Sequence, residues 1–367
     1  METDVAVIKL SEDKNALEDM LRKLWRECFD DPKSYEDFYF QWVYRSNVVY
    51  AFEKKGMLHL NPYPCVVGKE ERLLHYIVGV GTKYSERRKG IMRHLLIQAL
   101  QDMHKDGEPF TYLMPADIRY YAPFGFVSIS EKKEHDLCGR QMLPQKQTVV
   151  YKAYTELLAE MEVQKREQLY KKIDSILSEH YAIYAKHDAD YFELLYQEKS
   201  CQGGNVVFCF TERADSEHLS GFFAYSMDGE QCFIEQSVFT VELSKDGAED
   251  IVTGYQNLTG QGTLVEQFPF MVRITNVVEC MKLFPDIWHS FVPDGKGLLV
   301  IDEEIPDNSG LYSIREEGYE RIVKQGSVNQ MEQDGESKEI ITLSVAELTE
   351  LLFTKISPER VYFAEVV

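Results

Sequence analysis

A short basic run between a predicted strand and a predicted helix carries the residues best suited to chemistry. The run Arg87-Arg88-Lys89-Gly90 leads into an apolar stripe with helical spacing that begins at Ile91. The unpaired backbone N–H groups and the dipole of a helix N-terminus favour an anion. Gly90 would let a phosphate reach the backbone, and the arginines would add charge-assisted hydrogen bonds. The segment therefore predicts a phosphate site, with a solvated loop before a helix-starting glycine as the alternative.

The chemistry of the whole chain narrows the ligands that this loop could bind. Neither G-x-x-x-x-G-K-[ST] nor G-x-G-x-x-G occurs between a strand and a helix of the sequence. The 40 basic and 61 acidic residues give a net charge of −21, which argues against nucleic-acid and anionic-membrane partners. An acidic cleft that attracts a cation is one interpretation of this charge, and simple solubility is the other.

The seven cysteines and nine histidines predict neither a disulfide framework nor a metal site. The cysteines are scattered without a C-x-x-C pair, and the histidines show no metal-ligand spacing. No segment has the length of a membrane span or of the apolar core of a signal peptide. We therefore expect a cytoplasmic protein without a bound metal.

The hydrophobic pattern around the basic run predicts an α/β layout with one crossover. A helix is predicted over 10–28 and an aromatic segment over 35–44, followed by strands over 48–52, 57–60 and 73–82, a helix over 91–103 and a strand over 110–114. The basic run thus falls between the third strand and the helix that follows it.

Two further regions follow a polar, proline-containing linker at 139–147. The second is predicted to contain a helical segment over 154–180, strands over 205–210, 221–227 and 232–240, and a helix over 248–256. The third is predicted to contain a strand and helix over 271–284, strands over 297–301, 310–314 and 340–344, and a helix over 345–353. These patterns predict domains at 1–140, 141–267 and 268–367, and the apolar ending 360–367 indicates a packed tail.

The basic run resembles the coenzyme-A loop R-x-x-G-x-[GA] of the GNAT acetyltransferase superfamily, with Met92 where a small residue is usual. Further motifs resemble the Eis-like (enhanced intracellular survival) branch of that superfamily. They are Val80-x-Thr-x-x-x-x-Arg-Arg-x-Gly-Ile-Met-Arg-x-Leu-Leu96, Leu113-Met-Pro115, Tyr121-x-x-Phe-Gly-Phe126, Met271-Val-Arg-Ile274 and Leu343-Ser-Val-x-Glu-Leu-Thr-x-Leu-Leu-Phe353. The resemblance runs over the whole chain, and its most specific motifs are at 80–96, 113–126 and 341–367.

The resemblance implies a mixed α/β fold with two tandem GNAT-like domains and a C-terminal domain similar to sterol carrier proteins. The first domain would be catalytic, and the second would lack the coenzyme loop, since its Ser244–Asp250 turn contains no arginine. The resemblance also implies a homo-oligomer, with trimer-based hexamers usual in the family.

Acetyl-CoA is the co-substrate that the resemblance implies, and no metal is expected. The residues expected to contact the coenzyme are Val80, Gly81, Thr82, Arg87, Arg88, Lys89, Gly90, Ile91 and Met92. In GNAT folds a backbone N–H near Val80 would polarise the thioester oxygen, and the flanking Gly79 and Gly81 suit an irregular strand.

Two catalytic groups follow from the resemblance. Tyr121 matches the family's general acid toward the departing thiolate, a role that a phenol with a pKa near about 10 can fill. The family's general base is the carboxylate of the chain terminus, which here belongs to Val367. A core aromatic at Tyr121 and simple hydrophobic docking of the tail are the alternatives.

The pocket for the incoming amine is expected between the first helices and the tail. Asp30 and Glu365 are candidates to attract a cation, and Phe40 is a candidate to stack on it; each is also explained as a surface or core residue. We therefore consider two functions. One is an N-acetyltransferase for a primary amine of an aminoglycoside-like or polyamine-like molecule or of lysine. The other is a non-catalytic scaffold that binds an apolar ligand or a regulatory partner through its C-terminal domain.

Overall fold

The computed structural model describes residues 7–10, 15–137, 149–240, 245–255, 262–292, 296–315, 318–324 and 340–364. The strands of this part of the chain are, in order, β1 (Val7–Leu10), β2 (Val48–Phe52), β3 (Gly56–Val67), β4 (Glu70–Thr82), β5 (Phe110–Leu113), β6 (Val127–Ser128), β7 (Lys133–Asp136), β8 (Val149–Ala153), β9 (Ile183–Ala185), β10 (Asn205–Thr211), β11 (Leu219–Asp228), β12 (Gln231–Phe239), β13 (Gly262–Gln267), β14 (Met271–Ile274), β15 (Gly297–Ile301), β16 (Gly310–Arg315), β17 (Gly318–Lys324), β18 (Ile340–Ser344) and β19 (Val361–Tyr362).

Its α-helices are α1 (Asn15–Cys28), α2 (Lys33–Phe38), α3 (Ile91–Lys105), α4 (Ile118–Tyr121), α5 (Tyr154–Glu160), α6 (Val163–His180), α7 (Ala189–Cys201), α8 (Lys245–Thr253), α9 (Val277–Leu283), α10 (Pro285–Phe291) and α11 (Val345–Ile356). A π-helical turn, Tyr39–Val43, continues α2, and short 3-10 turns occupy Tyr84–Glu86, Ala122–Phe124, Pro306–Asn308 and Pro358–Arg360. None of these helices has the length and apolar run needed to cross a bilayer.

The strands form three sheets, which confirms the predicted mixed α/β class. The first has the order β1-β2-β3-β4-β5-β14-β6, with β9 beside β3 and β19 beside β9. The second has the order β7-β13-β12-β11-β10-β8, and the third has the order β17-β16-β15-β18. In the first sheet β4 is parallel to β5 and β9 is parallel to β19, and in the second sheet β12 is parallel to β13. Each of the two larger sheets thus contains an antiparallel run of four strands followed by a parallel partner, β1-β2-β3-β4 with β5 and β8-β10-β11-β12 with β13.

Alternation along β2 explains how helices cover both faces of the first sheet. Val49 and Ala51 pack in the cluster formed with α1 and α2, whereas Tyr50 and Phe52 pack in the cluster that includes α3. Successive residues of a strand point to opposite faces, so one short strand contributes to both cores. The crossover helix α3 lies on one face and the two N-terminal helices lie on the other.

The third region is built directly onto the first sheet. Its opening strand, β14, is hydrogen-bonded between β5 and β6 and pairs Met271 with Leu113. The backbone N–H of Ile274 donates to Thr349 Oγ1 of α11 at 3.2 Å. The strand at which the predicted third domain begins thus belongs to the sheet of the first domain. The likeness of the third region to sterol carrier proteins stays a prediction.

Most predicted elements are present with shifted ends. Residue 10, predicted to begin a helix, ends β1, and the helical segment 154–180 is divided into α5 and α6. The strand predicted at 57–60 is the start of the longer β3, and the helix predicted at 248–256 begins earlier, at Lys245. The 139–147 linker lies outside the described residues. Short strands such as β9 and β19 were not predicted, because two or three residues carry no readable periodicity.

Candidate active site

The two parallel strands β4 and β5 separate soon after they meet. Their registered pair is Tyr76 with Tyr112; β5 ends one residue later, while β4 continues to Thr82. Within that continuation β4 bulges, since its register with β3 shifts and Gly79 has a φ of 60°. This conformation favours glycine. The irregular strand expected around Val80 is therefore present, and it borders the gap between β4 and β5.

The basic loop leads from the end of β4 to the exposed start of α3. Gly90 occupies the N-cap position with a φ of 81°, and no side chain of the described residues caps the helix. Arg87, Arg88 and Lys89 are all exposed. Free N–H groups, a helix dipole and cationic side chains thus meet at one solvent-facing point, which suits a phosphate.

The three cations of this loop differ in how they are held. Arg87 donates to the carbonyl of Thr82 at 3.2 Å, and Lys89 pairs with Glu86 at 3.1 Å. Arg88 has a φ of 63°, and its guanidinium has no acceptor within the described residues. A non-glycine residue in the left-handed region is strained, and such strain is often found at ligand sites. Arg88 is therefore the loop cation most available to a ligand.

Tyr121 lies at the end of α4 and is 7% exposed. Burial raises the pKa of its phenol to about 12. Its ring meets Phe126 edge-on with centroids 6.0 Å apart. Within the described part of the chain its hydroxyl has no hydrogen-bond partner. The group therefore stays protonated through the neutral range and has its proton free to donate.

The Tyr121 segment is held in place by the motif that begins at Met271. Arg273 Nε donates to the carbonyl of Phe124 at 2.5 Å, and another of its nitrogens pairs with Asp302 at 2.7 Å; both charged side chains are fully buried. Next to Phe124, Gly125 has a φ of 82°, and a Cβ there would lie 2.8 Å from Val345 Cγ1. The motif at 121–126 and the motif at 271–274 are therefore in direct contact.

The C-terminal tail enters between the first and second sheets. Val361 and Tyr362 pair with β9, and the Phe363 ring stacks on Tyr112 with centroids 4.0 Å apart. The carbonyl of Ala364 accepts a hydrogen bond from Gln236 Nε2 at 3.1 Å. The tail is thereby seated over the residue at which β4 and β5 separate.

The predicted base Val367 and the predicted substrate ligand Glu365 lie outside the described residues.

Two of the predicted amine ligands, Phe40 and Asp30, lie in the region of the first helices, and their surroundings differ. Phe40 is 1% exposed, and the Arg22 guanidinium covers its ring at 4.4 Å. The Phe40 ring is therefore not exposed to solvent in this structure, and its role in stacking on a substrate cation stays a prediction. Asp30 is exposed on the loop after α1. Its neighbour Asp31 accepts a hydrogen bond from Trp25 Nε1 at 2.8 Å.

Residues that sequence reasoning missed lie where α1 meets the bulge of β4. A Cβ on Gly79 would lie 2.9 Å from the Trp25 ring, and one on Gly81 would lie 3.0 Å from Cys28 Sγ. Glu27 accepts a hydrogen bond from the backbone N–H of Tyr84 at 2.9 Å, which ties α1 to the basic loop. The glycines flanking Val80 were the only sequence signal of this close approach.

Comparisons with known proteins agree with this geometry. Residues 11–129 match the family of acetyltransferase (GNAT) domains. No curated protein sequence matches the chain. Among solved structures, a probable N-acyltransferase from Enterococcus faecalis is similar with a TM-score of 0.69 and 12% identity, covering 95% of this chain and 89% of that chain. A GCN5-related N-acetyltransferase from Anabaena variabilis has a TM-score of 0.65 and 13% identity, covering 98% of both chains.

Eis1 from Mycobacterium abscessus is also similar in structure. It has a TM-score of 0.58 and 13% identity, covering 94% of this chain and 88% of that chain. At such identities the solved structures establish a shared fold. The domain match confirms the predicted GNAT-type acetyltransferase domain, and the solved structures show that the chain shares the fold of Eis1.

Proposed function

Because residues 11–129 form a GNAT acetyltransferase domain within an Eis-like fold, we propose that this protein transfers an acetyl group from acetyl-CoA to a primary amine of a cationic small molecule or of lysine. One observation carries the proposal. The gap between β4 and β5 is bordered by the basic loop at the start of α3, and the tail is seated over the residue where that gap begins. The acetyl group of the coenzyme and a base on the tail can therefore meet at the β4–β5 gap.

The coenzyme is expected to bind with its phosphates at the basic loop. Arg87 and Arg88 would contribute charge-assisted hydrogen bonds, and the N–H groups following Gly90 would contribute neutral ones. The thioester would lie along the β4–β5 gap, where a backbone N–H near Val80 could polarise its carbonyl oxygen. The exposed Arg88 supports this placement, since it is free to turn toward a phosphate.

The transfer is proposed to be direct, with Val367 as the base and Tyr121 as the acid. The substrate ammonium loses a proton to the terminal carboxylate of Val367, and the amine nitrogen then attacks the thioester carbon. Collapse of the tetrahedral intermediate breaks the C–S bond while the Tyr121 hydroxyl gives its proton to the departing sulfur. The nitrogen loses its second proton as it becomes the amide, and a proton from solvent restores the Tyr121 hydroxyl. Burial raises the pKa of Tyr121 to about 12, so this hydroxyl is protonated when the reaction begins.

A cationic acceptor is favoured by the charge of the protein. The net charge of −21 creates a negative potential that attracts polyamines, aminoglycosides and lysine side chains. Fold alone does not select among these acceptors, because GNAT folds support many substrates. We therefore propose the acceptor as a class, the primary amines of cationic molecules.

Two measurements on the full-length chain test the proposal. Calorimetric titration with acetyl-CoA should show saturable binding, and thiol release should follow the addition of spermidine, an aminoglycoside or lysine. Absence of coenzyme binding would overturn the proposed acetyltransferase function and favour the non-catalytic scaffold. Release with a longer acyl-CoA in preference to acetyl-CoA would overturn the acetyl donor alone.

The terminal base is tested by extending the chain. A short polar tag after Val367 should lower kcat strongly and leave the Kd for acetyl-CoA unchanged. The matched control carries the same tag at the N-terminus and should keep both constants. Normal turnover of the C-terminally extended protein would contradict the role of Val367 while leaving the acetyltransferase proposal in place.

A further inference from the structure

A histidine and two glutamates meet at one edge of the second sheet. They are His135 on β7, Glu249 on α8 and Glu266 on β13, and the atoms they could offer to a metal lie within 4.8 Å of one another. His135 Nδ1 is 2.8 Å from Glu266 Oε1, and its Nε2 is 3.4 Å from Glu249 Oε1. Three separate elements therefore hold this cluster, which makes its geometry a property of the fold.

The imidazole of His135 leaves one nitrogen unused. With Nδ1–H donating to Glu266, Nε2 of the neutral ring carries a lone pair. Nε2 is buried and makes no hydrogen bond within the described residues. A lone pair that faces the Glu249 carboxylate is unfavourable unless a proton or a cation lies between them. The site therefore calls for positive charge at one defined point.

The distances suit a metal ion at that point. Two ligands on a tetrahedral metal with bonds of about 2.1 Å lie about 3.4 Å apart, and Nε2 and Glu249 Oε1 have this separation. The Nδ1–H bond to Glu266 is the contact by which carboxylates orient metal-binding histidines. We propose that His135 Nε2 and Glu249 bind a divalent transition metal such as zinc, with Glu266 orienting His135.

The place of the cluster in the fold supports a cation site. Glu249 and Glu266 line a cavity of about 550 Å³ that opens where the parallel strands β12 and β13 separate. At the corresponding position of the first sheet lies the basic loop. Here α8, which follows β12, contributes both Glu249 and Lys245, and Lys245 Nζ is 2.5 Å from Glu266 Oε1. Lys245 therefore offsets the charge of Glu266, and the position proposed for the ion lies between His135 Nε2 and Glu249. Phe363 of the tail lines the same cavity.

A second histidine provides an internal comparison. His218 lies 2.7 Å from Asp215 and 3.4 Å from Glu212, which are nearly the same distances. The Glu212 side chain, however, is 80% exposed, whereas that of Glu249 is 6% exposed. An exposed glutamate must be ordered before it can bind a metal, so only the buried cluster is preorganised. His218 is thus the matched control.

The test is a titration of the metal-stripped, untagged full chain with Co²⁺, followed by visible absorption and by competition with Zn²⁺. One ion per chain should bind with a spectrum of nitrogen and oxygen ligands. His135→Ala and Glu249→Gln should abolish binding, Glu266→Gln should weaken it about 10- to 100-fold, and His218→Ala should leave it unchanged.

Three results would overturn the site. They are the absence of saturable binding, binding that survives His135→Ala, and a thiolate charge-transfer band that places the ion on cysteine. His135→Asn serves as a second variant of smaller volume change, and circular dichroism of each variant confirms that it is folded.

Discussion

The ring of Phe363 lies flat on the ring of Tyr112, with the planes 10° apart. Tyr112 is the residue of β5 that pairs with Tyr76 of β4, just before the two strands separate. The tail of the chain is thus anchored to the strand pair that forms the proposed active site. Gln236 of β12 completes the anchor, since it accepts a hydrogen bond from the Tyr191 hydroxyl and donates one to the carbonyl of Ala364.

Phe363→Ala should lower kcat by at least about tenfold, because the variant loses a stacked pair and a buried ring that position the chain terminus. The Kd for acetyl-CoA, measured by calorimetry, should change less than about twofold, since the basic loop is untouched. Phe363→Tyr keeps the stack and is the control. A Phe363→Ala protein with normal kcat would show that the tail needs no anchor for catalysis.

Arg88→Gln should weaken acetyl-CoA binding by about 10- to 100-fold, which corresponds to one charge-assisted hydrogen bond of about 1.5–3 kcal/mol. The exposed Lys132, which pairs with Glu134, provides Lys132→Gln as a matched control that should bind normally. Calorimetry at fixed ionic strength measures both.

Arg88→Gly separates charge from backbone strain in the same loop. The φ of 63° suits glycine, so this variant should gain about 1 kcal/mol of stability and still lose coenzyme affinity. Unchanged affinity in Arg88→Gly would contradict a direct phosphate contact by the guanidinium.

Tyr121→Phe should lower kcat by about 10²- to 10⁴-fold, the usual contribution of general acid catalysis. Because burial raises the pKa of Tyr121 to about 12, the wild-type phenol keeps its proton up to alkaline pH. The kcat profile should therefore show no fall caused by Tyr121 between about pH 7 and 10. Steady-state rates with a saturating amine measure this, and an equal kcat in Tyr121→Phe would exclude the residue as the acid.

The parts of the site that are local in sequence could be predicted from it. The loop from Arg87 to Gly90 combines strand, basic run, glycine and helix within a few residues, so its chemistry is readable directly. Phe40 shows the limit, since nothing in the sequence indicates that Arg22 covers its ring. Contacts between distant parts of the chain could not be predicted either. Examples are the pairing of β14 within the first sheet and the contact of His135 with Glu249 at the second sheet.

Arg273→Met should lower the free energy of unfolding by about 3–5 kcal/mol, because it leaves the buried carboxylate of Asp302 without its cation. It should also lower kcat, since Arg273 holds the carbonyl of Phe124 beside the Tyr121 segment. Thermal and denaturant unfolding measure the first effect. Arg119→Met is the control: its side chain is 87% exposed, and it should cost less than about 0.5 kcal/mol. A loss for Arg273→Met no larger than that of the control would contradict the buried ion pair.

His187 should make the protein less stable in mild acid. Burial lowers the pKa of its imidazole from 6.5 to about 3, while Nδ1 donates to the carbonyl of Ala185 at 2.7 Å. Below pH 6.5 the unfolded chain binds a proton that the folded chain refuses. The free energy of unfolding should therefore fall by about 1.4 kcal/mol for each pH unit from 6.5 toward 3, relative to a chain without this group.

His187→Leu isolates this contribution from the carboxylates that titrate over the same range. Thermal unfolding of wild type and variant at pH 7 and pH 5 should give a smaller acid loss in the variant. His94→Leu, at an exposed histidine, is the matched histidine-to-leucine control. The His187 ring contacts the Tyr191 ring at a tilt of 33°, with ring centroids 3.9 Å apart, and Tyr191 donates to the glutamine that holds Ala364. Protonation of His187 should thus loosen the tail anchor, so kcat should fall together with stability, and an equal acid loss in His187→Leu would refute the link.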